Sequence, residues 1–112
     1  MSFFGFGKPR HRELTARQLD GLLQQGRALV VDVREPDEFA AGHIPGAINM
    51  PLSGFRPSQL PDPGDKMLVL NCAAGRRSAM ALDKCGVAQA AVDTHLAGGF
   101  GAWRAAGLAV EN

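Results

Sequence analysis

Two nearly continuous apolar runs occur in this chain, at residues 28–33 and 67–71. The first is interrupted by Asp32 and the second ends in Asn71. A nearly continuous apolar run of five or six residues is typical of a strand that is covered on both faces of a sheet. The two runs therefore predict two central strands in the same sheet.

A helix is predicted just before the first run. Thr15 and Gln18 have the spacing of a capping box, in which each side chain binds the backbone N–H of the other residue. Three leucines then share one helical face, and Gly26 is placed to end the helix. This pattern predicts a helix over 16–25.

The remaining pattern predicts shorter elements. They are a helical turn over 34–40, strands over 47–50 and 92–96, and helices over 77–84 and 100–106. The proline- and glycine-rich segment 53–65 predicts an ordered connection or 3₁₀ turns. Because strands alternate with helices, the sequence predicts an α/β fold, with a parallel sheet of about five strands and helices on both faces.

The composition is that of one globular domain: 112 residues, of which 46% are hydrophobic and 21% charged. This balance excludes intrinsic disorder as the main state of the chain. Lys and Arg number 12 against 11 Asp and Glu. The resulting net charge of +1 argues against nucleic acid or an anionic membrane surface as a partner. Two cysteines cannot form a disulfide scaffold.

Residues 1–12 are predicted to be an N-terminal extension, and 13–112 the folded domain. The extension contains Phe3, Phe4 and Phe6 but lacks the basic and long apolar regions of a secretory signal. No segment approaches the roughly 20 apolar residues that a membrane helix needs. We expect a cytoplasmic protein with no membrane partner. Its first residues would be frayed, or docked on the domain or on another molecule.

Candidate chemistry lies at the carboxyl ends of the two predicted central strands. Asp32 and Arg34 end the first strand, and Cys72 directly follows the second. Ligands of parallel α/β sheets bind beyond the carboxyl ends of the strands. The sequence therefore predicts a site where these residues meet.

The loop after the second strand combines a thiol, small residues and two cations. Its residues are Cys72, Ala73, Ala74, Gly75, Arg76, Arg77 and Ser78. A tight loop that turns into a helix directs several backbone N–H groups at one point, and the helix N-terminus adds positive potential. Such surroundings stabilise a thiolate, and lowering the thiol pKa by about two pH units would ionise most of it at neutral pH. The same loop would hold an anionic substrate.

Two other interpretations of the loop remain open from the residues alone. A cysteine that ends a buried strand is often only a small hydrophobic residue, but this leaves two arginines at a helix start unexplained. Phosphatases and arsenate reductases place five residues between cysteine and arginine, whereas only four separate Cys72 from Arg77. The shorter loop should enclose a smaller group, which favours sulfur chemistry over phosphate chemistry.

Three blocks of the sequence resemble the rhodanese-like sulfurtransferases. They are residues 31–47, the loop 72–78 and residues 96–107, and together they span nearly the whole chain. The resemblance implies that the Cys72 thiolate attacks the outer sulfur of thiosulfate or a similar donor and forms a persulfide. The sulfur would then pass to cyanide, a small thiol or a thioredoxin-like protein. The resemblance also implies that no metal or organic cofactor is needed.

The loop residues take their expected roles from this resemblance and from their chemistry. Cys72 is the nucleophile. Backbone N–H groups of residues 73–78 stabilise the persulfide and the leaving anion. Arg76 faces solvent and attracts the donor.

Charged residues outside the loop are expected to support it. Arg77 folds back to brace the loop against Asp32 or Glu38. Asp32 and Arg34 form either a pair that supports the site or a purely structural ion pair.

Other noteworthy residues receive structural interpretations. His43 is expected to hydrogen-bond within a turn, and His11 and His95 to be surface or satisfied polar residues. Cys85 and Trp103 are expected in the core. No spacing of His, Cys and Asp resembles a metal site.

An enzyme is not the only function that fits these residues. A sulfur carrier or protein-interaction module, loaded by a partner enzyme, would use the same loop. Slow turnover of thiosulfate with fast loading from a protein donor would favour the carrier. A domain used only for protein contacts would not require Cys72 and both arginines.

Overall fold

The computed structural model describes residues 11–112, whose strands form one sheet flanked by helices. The strands are β1 (Arg12–Leu14), β2 (Ala28–Asp32), β3 (Ile48–Asn49), β4 (Met67–Asn71) and β5 (Thr94–Leu96). The helices are α1 (Ala16–Gln24), α2 (Pro36–Ala41), α3 (Arg76–Val87) and α4 (Gly99–Ala105). The expectation for Phe3, Phe4 and Phe6 lies outside the described residues.

The sheet has the strand order β1-β5-β4-β2-β3, and every neighbouring pair is parallel. The two predicted central strands are neighbours, and their last residues, Asp32 and Asn71, are in register. The polar residues that follow them therefore lie at the same edge of the sheet. The prediction of a five-stranded parallel sheet is confirmed.

The core is divided between the two faces of the sheet. On one face, Leu19 of α1 and Trp103 of α4 are buried in one cluster. On the other face, Leu82 and Cys85 of α3 are buried in a second cluster that also contains Cys72. The prediction of helices on both faces is confirmed, and so are the core positions of Cys85 and Trp103.

The start of α1 has the predicted capping box. The Gln18 N–H donates to Thr15 Oγ1 at 3.1 Å, and the Thr15 N–H donates to Gln18 Oε1 at 2.9 Å. The segment after β3 contains two 3₁₀ turns, Leu52–Gly54 and Pro57–Gln59, as its proline and glycine content predicted.

Two predictions of secondary structure need correction. The sequence analysis missed strand β1, which begins at Arg12. This strand is held to the edge of β5 by backbone bonds, among them the Arg12 N–H to the Asp93 carbonyl at 2.9 Å. Helix α3 begins at Arg76 and extends to Val87, so the predicted range 77–84 was too short at both ends.

No helix among residues 11–112 is both long enough and apolar enough to cross a membrane.

Candidate active site

The site is built where β4 passes through a short loop into α3. Cys72 directly follows β4, and Gly75 precedes the first helical residue, Arg76. Gly75 has a φ angle of 107°, a conformation that favours glycine and lets the chain turn sharply into the helix. The loop consequently curls around the Cys72 side chain, and Cys72 is only 1% exposed.

The start of α4 forms hydrogen bonds with the backbone of the loop. The Phe100 N–H donates to the Cys72 carbonyl at 2.7 Å, and the Gly101 N–H donates to the Ala73 carbonyl at 3.0 Å. Gly99 makes this close approach possible, because a Cβ there would lie 2.4 Å from the Cys72 carbonyl oxygen. Gly99, near the start of the third block of the sequence, thus positions the cysteine loop.

Hydrogen-bond donors surround the Cys72 sulfur. The Gly75 N–H donates to Sγ at 3.1 Å, and Ser78 Oγ lies 3.5 Å from Sγ. Burial raises the pKa of the Cys72 thiol, but the Ser78 hydroxyl and the N–H groups of Ser78, Gly75 and Ala74 outweigh burial. The pKa is therefore lowered from its ordinary value. This loop favours the thiolate.

Arg77 joins the loop to α2 through a two-point ion pair with Glu38. The distances are 2.7 Å from Nη1 to Oε1 and 2.9 Å from Nη2 to Oε2. The hydrogen bond from Arg77 lowers the pKa of Glu38 to about 2 and raises that of Arg77. Of the two partners considered for Arg77, the structure pairs it with Glu38.

Asp32 and Arg34 form a separate, buried pair. Arg34 Nη2 lies 2.8 Å from Asp32 Oδ2 and donates to the Gly42 carbonyl at 2.7 Å. The guanidinium also lies 4.4 Å from the centre of the Phe100 ring. Neither side chain hydrogen-bonds the loop within residues 11–112. The pair is linked to the loop through Phe100, and the Asp32 charge also helps to raise the pKa of Arg77.

Arg76 is exposed at the first position of α3, and no carboxylate among the described residues pairs with it. Its charge is therefore available to an anion approaching from solvent.

His43 has the expected turn role. Its Nδ1 is 2.7 Å from the Phe39 carbonyl oxygen, and its ring stacks on Phe39 with 3.7 Å between ring centres. These contacts account for His43 without a proton-transfer role.

The sequence analysis did not connect His95 to the loop. His95 is 3% exposed, and its Nδ1 lies 2.7 Å from Ser78 Oγ. Only the strand order places β5 beside β4 and thus His95 behind the loop. The available signal was a histidine within a predicted strand, a position where the side chain must find a partner if it is buried.

A cavity of about 360 Å³ lies away from Cys72, at the amino end of β4. Its walls include Leu60, Lys66 and Met67. No group of three or more His, Cys, Asp or Glu residues in the described part of the chain is arranged to hold a metal ion.

The fold and the loop define a parallel α/β domain. A cysteine lies at the carboxyl edge of its sheet, in a loop that favours the thiolate form of its side chain. The rhodanese-like domain family matches residues 15–106, and the chain belongs to that family.

Several known proteins resemble this chain. An uncharacterised protein from Synechocystis is 43% identical over 95 residues, which cover 85% of this chain and 53% of that protein. The thiosulfate:glutathione sulfurtransferase of Homo sapiens is 36% identical over 78 residues, covering 57% of this chain and 68% of the human protein. A rhodanese-related protein from Thermoplasma volcanium has a TM-score of 0.75 at 31% identity, covering 89% of this chain and 97% of that one. The chain spans about half the length, or less, of several curated relatives.

Proposed function

We propose that this protein transfers sulfane sulfur through a persulfide on Cys72. The observation that carries the proposal is the thiolate environment of the Cys72 sulfur. A thiol that is buried without donors would stay protonated and inert, whereas this one faces the Gly75 N–H and the Ser78 hydroxyl. A structural cysteine would not require these donors.

The reaction has two displacement steps. The Cys72 thiolate attacks the outer sulfur of thiosulfate, the sulfur–sulfur bond of the donor breaks, and sulfite leaves with the bonding electron pair. A thiolate or cyanide then attacks the outer sulfur of the persulfide, and Cys72 leaves as a thiolate. No net oxidation or cofactor is required by this sequence of steps.

The loop supplies the electrostatic part of this mechanism. Backbone N–H groups of residues 73–78 stabilise the leaving anion and the persulfide, since they are fixed before the reaction begins. Arg76 attracts the anionic donor. The Arg77–Glu38 pair and the Asp32–Arg34 pair hold the loop and the elements beneath it in place.

The relatives favour a sulfur donor and a thiol acceptor as partners. The human relative is named a thiosulfate:glutathione sulfurtransferase. We propose thiosulfate as the donor, and a small thiol or a thioredoxin-like protein as the acceptor. The cytoplasm, where thiols stay reduced, is the proposed location.

The test is intact-mass measurement after incubation with excess thiosulfate in the absence of reductant. The wild-type chain should gain one sulfur atom, and cyanide should remove it as thiocyanate. Cys72→Ser should gain none, while the matched variant Cys85→Ala should still gain one. If thiosulfate adds no sulfur to Cys72, whereas a protein persulfide donor does, the chain is a sulfur carrier. If neither donor loads Cys72, the proposal is wrong.

A further inference from the structure

A line of polar groups runs from the Cys72 sulfur to the outer edge of the sheet. Ser78 Oγ lies 3.5 Å from Cys72 Sγ and 2.7 Å from His95 Nδ1. On the other side of the ring, His95 Nε2 lies 3.4 Å from Glu13 Oε2 on β1. Three of these groups are buried, whereas the Glu13 side chain is 58% exposed.

The Ser78 hydroxyl has one proton and three acceptors within reach. These are the Cys72 sulfur, the Gly75 carbonyl oxygen at 3.1 Å, and His95 Nδ1. The proton can point at only one of them at a time. The state of Nδ1 therefore decides whether the ring holds the hydroxyl proton or leaves it to the sulfur and the Gly75 carbonyl. When Nδ1 carries its own proton, it donates to Ser78 Oγ, and the hydroxyl is free to donate to a thiolate.

We infer that Ser78 and His95 form a proton relay that takes up the thiol proton of Cys72. In this step the S–H bond breaks and its proton moves to Ser78 Oγ. The original hydroxyl proton moves at the same time to His95 Nδ1. The products are a Cys72 thiolate, a neutral Ser78 hydroxyl and a His95 imidazolium. No electrons are transferred, and Ser78 is unchanged.

The product state satisfies each hydrogen bond along the line. The imidazolium donates through Nδ1 to Ser78, and Ser78 donates to the thiolate. The Nε2–H faces the Glu13 carboxylate, which stabilises the positive charge. His95 is thus a positioning residue that acts on the sulfur through Ser78.

The charged groups around the relay act on His95 in both directions. Burial lowers the pKa of His95, which favours a neutral resting ring whose Nδ1 can accept a proton, and the Glu13 carboxylate counters burial by favouring the imidazolium. The other titratable neighbour on the β1 side is His11, whose ring centre is 6.0 Å away and whose Nε2 contacts Asp83 of α3 at 2.8 Å. On the sulfur side, Arg77 of α3 interacts favourably with the Cys72 thiolate.

The consequence for sulfur transfer rests on the proposed function, but thiolate formation can be measured without any sulfur donor. The test is the rate of alkylation of Cys72 by iodoacetamide between pH 5 and 10, on the full chain. Cys72→Ser supplies the background from Cys85. His95→Asn keeps an acceptor at the Nδ1 position but cannot titrate, and Ser78→Ala removes the link. His11→Asn is the matched control, since it removes a neighbouring imidazole that does not contact Ser78.

The relay predicts that His95→Asn and Ser78→Ala raise the pKa of the thiol by about one pH unit. Alkylation should then be about tenfold slower at pH 6, and the difference should close toward pH 10 as the variant thiols ionise as well. His11→Asn should not slow alkylation at any pH, because His11 lowers the pKa of His95 and its removal leaves both Ser78 and the His95 ring in place. A reduction by one constant factor at all pH values, or no reduction, would overturn the relay.

An NMR titration of the His95 ring gives a second readout. Because coupling between two sites is reciprocal, Cys72→Ser should lower the pKa of His95 relative to the wild-type chain. An unchanged His95 titration would contradict the relay even if His95→Asn fails to fold. If the relay signatures are present but no donor loads Cys72 with sulfur, the proposed function fails and the relay stands.

Discussion

At the scale of single residues, Arg77 has a different task from Arg76 although the two are adjacent. The Arg77 guanidinium is fixed by both oxygens of Glu38, whereas Arg76 is exposed. A two-point pair between arginine and a carboxylate restricts orientation as well as adding energy. Arg77 therefore holds the loop against α2 and is not available to bind a donor.

Arg77→Ala should weaken both the fold and the reaction. The side chains of Arg77 and Glu38 are about one-third exposed, so solvent screening limits the loss of unfolding free energy to about 0.5–1 kcal/mol. Sulfur transfer should fall by about tenfold, because a displaced loop misplaces the nucleophile. Urea unfolding and steady-state kinetics measure the two effects, and Arg76→Ala should leave the unfolding midpoint unchanged. Unchanged stability and activity in Arg77→Ala would remove the bracing role.

The same pair predicts a pH dependence of stability. The pKa of Glu38 is lowered from 4.5 to about 2 in the folded chain. A carboxylate with a lowered folded-state pKa contributes stability that is present above pH 4.5 and is lost as the pH falls toward 2. Glu38→Gln should therefore flatten the fall in urea midpoint across this window. Glu35→Gln, a change in a neighbouring carboxylate, is the control and should leave the slope intact. Equal slopes in wild type and Glu38→Gln would contradict the prediction.

At the scale of elements, the loop depends on α4 as much as on the strand and helix that it connects. Two N–H groups in the first turn of α4 donate to the Cys72 and Ala73 carbonyls. These carbonyls therefore point toward α4, and the Gly75 N–H of the loop points toward the sulfur. This arrangement requires a backbone approach that only glycine allows at residue 99.

Gly99→Ala should disrupt the site through this contact. The added Cβ would overlap the Cys72 carbonyl oxygen, and the φ angle of 60° at this position adds backbone strain. Together these effects should lower the unfolding free energy by about 3 kcal/mol. Gly107→Ala is the matched control, because Gly107 has a φ angle of 74° but nothing within 4 Å of an added Cβ. The control should lose only about 1 kcal/mol. Thermal unfolding compares the two variants, and equal losses would show that the overlap is relieved elsewhere.

The sequence predicted those elements whose pattern is local. Both central strands, α1 with its capping box, and the cysteine loop could be found because periodicity, caps and turn residues lie close together in the chain. Strand β1 could not, since Arg12, Glu13 and Leu14 have no strand-like alternation and form a strand only through backbone bonds to β5. Edge strands of three residues depend on the neighbouring strand more than on their own side chains.

For the site too, the sequence predicted the residues that are close along the chain but not the contacts between distant segments. Cys72 and its loop could be found from their order along the chain, and Glu38 was one of two partners considered for Arg77. The distance from His95 to Ser78 could not be predicted, because it depends on β5 lying beside β4. The sequence also left open whether Asp32 and Arg34 contact the loop. The answer depends on the contacts of the Arg34 side chain with the Gly42 carbonyl and the Phe100 ring, which only the structure shows.

At the scale of the whole molecule, the parallel sheet separates two exposed cations, Arg76 and Lys66. Arg76 lies just beyond the carboxyl end of β4, next to Cys72, and Lys66 lies just before its amino end. The strand between them places the two charges about 20 Å apart. With a net charge of only +1, the molecule has no strong overall field to attract an anion. Attraction of a donor must therefore be local.

Arg76→Ala should raise the KM for thiosulfate about three- to tenfold and leave kcat within about twofold of wild type. The reason is that Arg76 attracts the donor but does not hold the nucleophile. The dependence of kcat/KM on ionic strength should also become weaker, since salt screens the attraction that the variant has lost. Lys66→Ala is the matched control: it removes the same charge beyond the screening distance from Cys72, and its KM should equal that of wild type. Equal rises in KM for both variants would mean that total charge, and not the position of Arg76, guides the donor to the loop.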